Sequence, residues 1–543
     1  MRKASKLLLI VILAAVLRFS YLAYNPPSLN WDEVSHGYNA YSILKTGADQ
    51  WGQKFPILNF RAYGDYPTPL NLYLTIPFIL VFGLTEIAIR FPHALLGTLT
   101  VISVYCLALG ATKRKDVSLL SAFLAAVGPW YLFTSRFVIQ SNLSVFLLTS
   151  AGAFFVNREK SKYFLPAALL MIFLSLFSYH TTRIFSPIFL IGCALIFRKE
   201  VGSKLFYFLV AAFVGLSVWI LARPASYARG NVLFLIDQSA INRIIENRNA
   251  SRLPDFAKRL VYNRPVYFLE RFSKNYISYF SPDFLFLKGG TQYQFSAPGF
   301  GLIYSICLPF FYIGMFLFVL SAVKEKNFRF LLLWILLAPI PASLTNESFA
   351  VLRATAMLPI TEIAIATGFY FLADKLFKRF YFGGLLIFMF AVAISAENYL
   401  TSYFTEYRKN FSWSWQYGYK EIVNYAKDNY QKYDKIVITK KYGEPHEYFL
   451  FFMKWDPAKY VADKNAIKFF QSNWYWVDRF DKFYFANDWQ VKELKLESGG
   501  KIDCFRVRCL LITSPGNYPG GWKKLKTVDF LDGKPAFEIY ENH

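Results

Sequence analysis

Asp32 and Glu33 stand side by side in Asn30-Trp31-Asp32-Glu33, just beyond a first apolar stretch, and further acidic positions follow at Asp49 and Asp65. Adjacent carboxylates among aromatics and prolines at a membrane face can form an acidic pocket. Partial desolvation and a like-charged neighbour there raise proton affinity toward that of a general base. The competing reading is a solvated acidic pair at a helix start, where the helix dipole favours negative charge. Arginine suits a phosphate at a membrane, because its planar fork stays charged and offers several donors. The candidates are Arg61, Arg136, Arg183 three residues after His180, and Arg353 six residues after Glu347. Snorkelling to headgroups explains any one of them alone. Two at outer helix ends, beside His180 and Glu347, point to a site. His180 would shuttle a proton or bond to a sugar or phosphate. Arg90 follows Glu86 at the i,i+4 spacing of a structural pair. Trp413 with Trp415, and Trp474 with Trp476, would stack on sugars or sit at the membrane interface.

The elements that must position these residues follow from composition. Of 543 residues, 55% are apolar and 18% charged, against about 45–50% and about 25% in soluble proteins. Apolar runs separated by short basic clusters indicate a polytopic α-helical membrane protein. The net charge of +24 would suggest nucleic acid in a soluble chain. Here 23 basic and 18 acidic residues from Thr401 onward leave +5 in the tail and +19 in the first 400 residues, mostly beside apolar segments. Such charge reads as topology and headgroup contact, which disfavours nucleic acid. Cys106, Cys193 and Cys307 lie in apolar runs, and no metal-ligand spacing occurs. Cys504 and Cys509 would bridge if their region faces an oxidising compartment.

The first apolar stretch, Leu7 to Tyr24, lacks a small-residue cleavage site and reads as an uncleaved span with a cytoplasmic N-terminus. Pro69 to Phe82 is too short to cross and is read as lying on or dipping into the outer leaflet. Further spans are expected near 97–112, 118–133, 138–156, 163–180, 184–197, 204–222, 300–322, 328–344, 354–372 and 381–397, about eleven in all. Every inner loop is then basic, as the positive-inside rule requires. A membrane domain over 1–400 would carry outer loops at 25–67 and 223–298. The tail, 401–543, has strand-like runs at Lys435–Thr439 and Cys509–Thr513 and an amphipathic run from Tyr419 to Tyr430, which predict an extracytoplasmic α/β domain.

The order of Asp32-Glu33, a Gly-rich loop, Tyr66-Pro67-Thr68-Pro69, and then Phe82-Gly83 through Glu86, Arg90 and Pro92 before a span resembles the GT-C glycosyltransferases. Within them it is similar to the protein O-mannosyltransferase and lipid A aminoarabinose transferase branch. The match runs over about Leu17 to Gly110 and is diffuse beyond. The resemblance implies a polyprenyl-phosphate sugar donor, an active site on the extracytoplasmic face, and Asp32 as catalytic base supported by Glu33. Aminoarabinose transferases carry a phosphate-contacting Lys before their prolines. Asp65 and Tyr66 stand there instead and are kept as substrate-binding candidates with Arg61, Arg136, His180, Arg183, Glu347 and Arg353. A second acidic residue often found in the second outer loop is also missing.

The expected reaction is an inverting transfer at the plasma membrane, with Asp32 deprotonating the hydroxyl of a lipid, glycan or protein acceptor and arginines stabilising the phosphate leaving group. No cofactor is expected; a divalent metal is conceivable but not called for by the branch. The alternatives are an oligosaccharide-chain transferase of the same superfamily and a lipid-sugar flippase or transporter, although the paired, broken helices of transporters are not evident.

Overall fold

The computed structural model describes residues 2–64, 66–224, 234–376 and 381–542, so Asp65 lies outside the described residues. The apolar runs form helices, as their length and composition require. Among the described residues, five helices are long and apolar enough to cross a membrane: Glu86–Thr112, Lys204–Leu221, Ser305–Ala322, Thr355–Lys375 and Phe382–Asn410. Shorter apolar helices cover Gln140–Val156, Phe164–Ser175 and Thr182–Ile196. Two runs expected to be continuous are interrupted. The helix Lys115–Val127 ends at Gly128 and a new one starts at Pro129; Lys326–Leu337 is followed by Pro339 and a single turn at Ile340–Ser343. Proline lacks the N–H a helix interior needs and is tolerated in a first turn, so each break falls where a proline can begin the next helix.

The chain forms two compact units. One comprises Met1–Ser20, Ala94–Ser135 and Ile139–Leu400. Within it, α1 (Arg2–Phe19) is anchored by Arg18, whose buried guanidinium donates to the carbonyls of Ala125 and Ala126 at 2.9 Å each. A cation on the carbonyl end of Lys115–Val127 meets both its unpaired acceptors and its dipole. Gly314 and Gly368 let Leu308–Ala322 and Leu358–Leu376 approach closely: a Cβ on Gly314 would lie 1.9 Å from the Ala364 carbonyl oxygen. Small residues at such crossings are how apolar helices gain contact where lipid competes equally for greasy side chains.

The other unit gathers Tyr21–His93, Arg136–Val138 and Thr401–His543. It contains α2 (Trp31–Thr46), α3 (Leu70–Phe82) and the start of α4 (Glu86–Thr112). The 13 residues of α3 rise about 20 Å, short of the roughly 30 Å of a hydrocarbon core. It buries Asn71, Leu72, Thr75 and Ile79 and exposes Leu80, Val81 and Phe82.

The tail supplies a seven-stranded mixed sheet of β1 (Lys435–Thr439), β2 (Ile467–Gln471), β3 (Trp474–Phe480), β4 (Phe483–Ala486), β5 (Cys509–Thr513), β6 (Lys523–Asp529) and β7 (Pro535–Glu541), in the order β2-β3-β4-β1-β5-β7-β6. Central β1 runs parallel to β4 and β5, and the remaining pairs are antiparallel. Ile436, Ile438, Leu510 and Ile512 face a core shared with α2 and with the helices Tyr419–Asp428 and Pro445–Phe452. Val437 and Leu511 face the opposite side, where Val491, Leu496 and Ile502 cover them. Burial on both faces explains why β1 and β5 read as unbroken apolar runs instead of alternating ones. Cys504 and Cys509 are disulfide-bonded.

Candidate active site

Helix α2 begins with a capping box. The Asn30 side chain accepts the Glu33 N–H at 2.9 Å, and Glu33 Oε2 accepts the Asn30 N–H at 3.2 Å. Two otherwise unpaired donors are thereby satisfied, and the helix start is fixed in register. Glu33 is then fully enclosed. Arg90 grips it with two bonds, Nε to Oε1 and Nη2 to Oε2, each 2.8 Å, and the Val138 N–H adds a third donor at 3.0 Å. Arg90 spends its remaining donors on the carbonyls of Leu22, Pro26 and Ser28. Both side chains are 0% exposed. A planar fork matching a carboxylate, with every donor and acceptor used, is the geometry in which a buried ion pair survives desolvation. Glu33 therefore positions the start of α2 and has no oxygen left for a proton transfer. The expected Glu86–Arg90 pair does not form. Arg90 turns inward, while Glu86, on the first turn of α4, borders a cleft of about 410 Å³ and pairs with Lys420 across it.

Asp32, one residue earlier, is half-buried at the dipole-favoured end of α2 and accepts a hydrogen bond from the Tyr63 hydroxyl. The ring of Tyr63 stacks on Trp474 with centroids 5.2 Å apart and meets Trp31 edge-on. Beside this group Arg61 lies over the ring of Tyr475 at 4.4 Å and over Trp51 at 5.5 Å. The hydroxyls of Tyr66 and Tyr475 are 2.9 Å apart. Burial, with the Tyr475 hydroxyl beside it, pushes the Tyr66 phenol up to about 12, so it stays a neutral donor. The arrangement offers a half-buried carboxylate, a guanidinium and a group of aromatic rings of which Tyr63 is buried and Trp31, Trp51, Trp474 and Tyr475 are half-buried. Such a set can take a proton from a hydroxyl and receive an anion or a sugar face.

Other expected residues have different surroundings. Asp49 is buried and accepts the N–H groups of Trp51 and Gln53 at 2.9 Å each, a turn-forming role. Burial raises its proton affinity. Arg136 is 2% exposed; it donates to the carbonyls of Tyr21 and Asn25 and lies over Phe404. In the other unit, Arg183 is buried, donates to the Leu176 carbonyl at 3.1 Å, and lies 3.3 Å from Nδ1 of His180. Arg353 pairs with Glu347 at 2.5 Å, and Glu347 also accepts from Gln292. The structure thus joins His180 to Arg183 and Glu347 to Arg353. Asp32, Arg61, Tyr66 and Arg136 belong to the first-loop and tail unit. Sequence reasoning missed Tyr63; the clue was Gly64 beside it, a residue without a Cβ next to an aromatic.

Residues 65–221 match the family model described as dolichyl-phosphate-mannose-protein mannosyltransferase. An uncharacterized protein of Aquifex aeolicus is 28% identical over 144 residues, 26% of this chain and 28% of that protein's length. Among solved structures, ArnT from Cupriavidus metallidurans in the apo state aligns over 100% of this chain and 99% of its own, with a TM-score of 0.53 and 12% identity. The same protein bound to undecaprenyl phosphate gives 0.51 over 99% and 98%, again at 12% identity. The Archaeoglobus fulgidus oligosaccharyltransferase in complex with Zn and sulfate gives 0.51 at 14% identity over 82% of this chain, which spans only 61% of that protein. The long apolar helices, the tail sheet and these likenesses together identify a helical membrane protein with the GT-C glycosyltransferase fold, similar to the mannosyltransferase and ArnT branch.

Proposed function

We propose that this protein transfers a sugar from a polyprenyl-phosphate carrier to a hydroxyl of an extracytoplasmic lipid, glycan or protein, with inversion and with Asp32 as general base. The observation carrying the proposal is the contrast within the acidic pair: Glu33 is fully enclosed and locked to Arg90, whereas Asp32 is half-buried and accepts a hydrogen bond from the Tyr63 hydroxyl. A hydrogen bond to the ionised carboxylate orients it and favours its charged form. Asp32 then accepts the acceptor proton as the new glycosidic bond forms and the bond from the sugar carbon to the carrier oxygen breaks. The carrier leaves as a phosphate and needs charge stabilisation rather than protonation. Arg61, in the same unit as Asp32, is the cation proposed to supply it.

The family description names a lipid-phosphate sugar, and ArnT of similar fold was solved with undecaprenyl phosphate; both support a donor of this chemistry. The disulfide in the tail suits an oxidising compartment, in keeping with a plasma-membrane protein whose N-terminus is cytoplasmic and whose site and tail face outward. No metal enters the proposed step, and a chelator should leave turnover unchanged.

The test uses purified protein in nanodiscs with radiolabelled undecaprenyl-phosphate monosaccharides. Asp32→Asn should abolish release of undecaprenyl phosphate while leaving expression and thermal unfolding unchanged, and full turnover by that variant would refute the role. A requirement for an oligosaccharide-linked donor would favour a chain transferase. Movement of intact lipid without release would favour a flippase.

A further inference from the structure

The tail reaches the proposed base at two points. On one side, Gly443 lies against Trp31, the residue before Asp32: a Cβ on Gly443 would sit 2.1 Å from Cε3 of that indole. The φ of +118° at Gly443 is one that side-chain-bearing residues rarely adopt. On the other side, the indole of Trp474, at the start of β3, lies flat on Tyr63 and over the backbone of Gly64, where a Cβ would again sit 2.1 Å from its Cε3. The Tyr475 N–H donates to the Tyr63 carbonyl at 2.5 Å, so β3 holds the backbone of Tyr63 as well as its ring. The Trp474 indole N–H is in turn anchored on Glu444, next to Gly443 and 4% exposed. Glu444 has His446 Nδ1 3.4 Å from its second oxygen. A continuous set of contacts runs from Glu444 through Trp474 and Tyr63 to Asp32.

We infer that the tail sheet is a positioning element for the reaction: Glu444 fixes Trp474, Trp474 fixes Tyr63, and Tyr63 holds the Asp32 carboxylate in the orientation from which it receives the acceptor proton. Trp474 and Glu444 are positioning residues that act only through Tyr63. The inference rests on the reading of Asp32 as base. A group held by packed rings keeps its rotamer between turnovers, and displacement of a reacting group by about 1 Å lowers a rate by about 10²-fold. The role assigned to the tail is thus catalytic alignment through a stacked ring.

The experiment is a double-mutant cycle in the full-length protein, measured on a panel of radiolabelled undecaprenyl-phosphate hexoses and pentoses. Tyr63→Phe keeps the ring and removes the hydroxyl; Trp474→Ala removes the support. Each should lower kcat about 10²-fold with the donor KM unchanged. The double variant should be no slower than the slower single, because both act through one contact. Trp474→Phe should recover most of the rate. Independent losses that multiply, or a wild-type kcat in Trp474→Ala, would overturn the inference. Amide hydrogen exchange on the same proteins reads the alignment without turnover: Trp474→Ala should speed exchange at residues 31–34 and 61–64, and unchanged protection there would also overturn it. If Asp32→Asn keeps full turnover, the base assignment falls while the exchange data still judge the support. If Asp32→Asn is inactive and the cycle is multiplicative, only the support is wrong.

Discussion

The two units each hold a glutamate paired with an arginine, and they enclose it differently. Glu33 and Arg90 are both 0% exposed, with backbone carbonyls and N–H groups taking up what the pair leaves over. Glu347 and Arg353 are 24% and 15% exposed and share fewer bonds, with Thr345 and Gln292 as the added partners. A buried pair whose partners are all internal cannot exchange them for a substrate without leaving a bare charge. A pair at the edge can, because water and ligand compete on similar terms there. The comparison teaches that the first is scaffolding for α2, and that the second is where a charged ligand could displace an existing partner.

The most severe way to break this contrast is to remove one member of the enclosed pair. Arg90→Met should lower stability by about 3–5 kcal/mol, because Glu33 is left charged and buried without its partner. The double variant Arg90→Met with Glu33→Leu should recover most of that loss. Thermal unfolding of detergent-solubilised protein reads both, and an unchanged midpoint in Arg90→Met would show that Glu33 does not depend on it.

Within the same unit, opening the bridge with Cys504→Ser and Cys509→Ser should cost about 2 kcal/mol, the loop-entropy value for so short a closure. Limited proteolysis of the tail measures it, and resistance equal to the parent would argue against the bond.

Lys468 gives a pH-dependent counterpart to the enclosed pair. It lies on β2 over the ring of Tyr460 at 3.7 Å, and burial lowers its ammonium to about 8, against the opposing pull of Asp463 and Glu447. Between that value and the ordinary lysine range the unfolded chain holds a proton that the folded chain has lost. Stability contributed by this group should therefore rise with pH over that window, by at most about 1.4 kcal/mol per pH unit. Lys468→Met should flatten this slope, and an unaltered slope would remove Lys468 as its source.

The mildest change is at the edge pair. Arg353→Met should shift stability by about 1 kcal/mol or less. If the pair meets the donor phosphate, the same variant should raise the donor KM. A large loss of stability, or an unmoved KM, would erase the distinction between the two pairs.

Several of these features could be read along the chain and others could not, for a physical reason. Long apolar runs specify membrane helices by themselves, so the helix at Lys204–Leu221 coincides with the span expected near 204–222. β1 and β5 were legible because short apolar, partly β-branched runs lie in each: Ile436 to Thr439 in β1 and Leu510 to Thr513 in β5. The amphipathic run at Tyr419 likewise became the helix Tyr419–Asp428. By contrast, the partner of Glu33 is 57 residues away, and the i,i+4 rule that suggested Glu86 for Arg90 describes only the surface of one helix. Nothing local states that Arg90 faces inward. The interruptions at Pro129 and Pro339 were visible as residues, but their effect on span length required the helix ends. Tyr63 was passed over because its importance comes from Trp474, a residue of the tail.

The unit that holds Asp32 is closed by segments from opposite ends of the chain: the Tyr448 hydroxyl donates to the Leu29 carbonyl across 419 positions of sequence. The early loop and the tail are therefore one folding unit whose contacts span most of the sequence. Long-range closure of this kind is slow. Because Val34, Tyr38 and Ile43 of α2 share one buried core with Phe449, Phe451 and the central strands, removal of the tail would strip that helix of its packing partners.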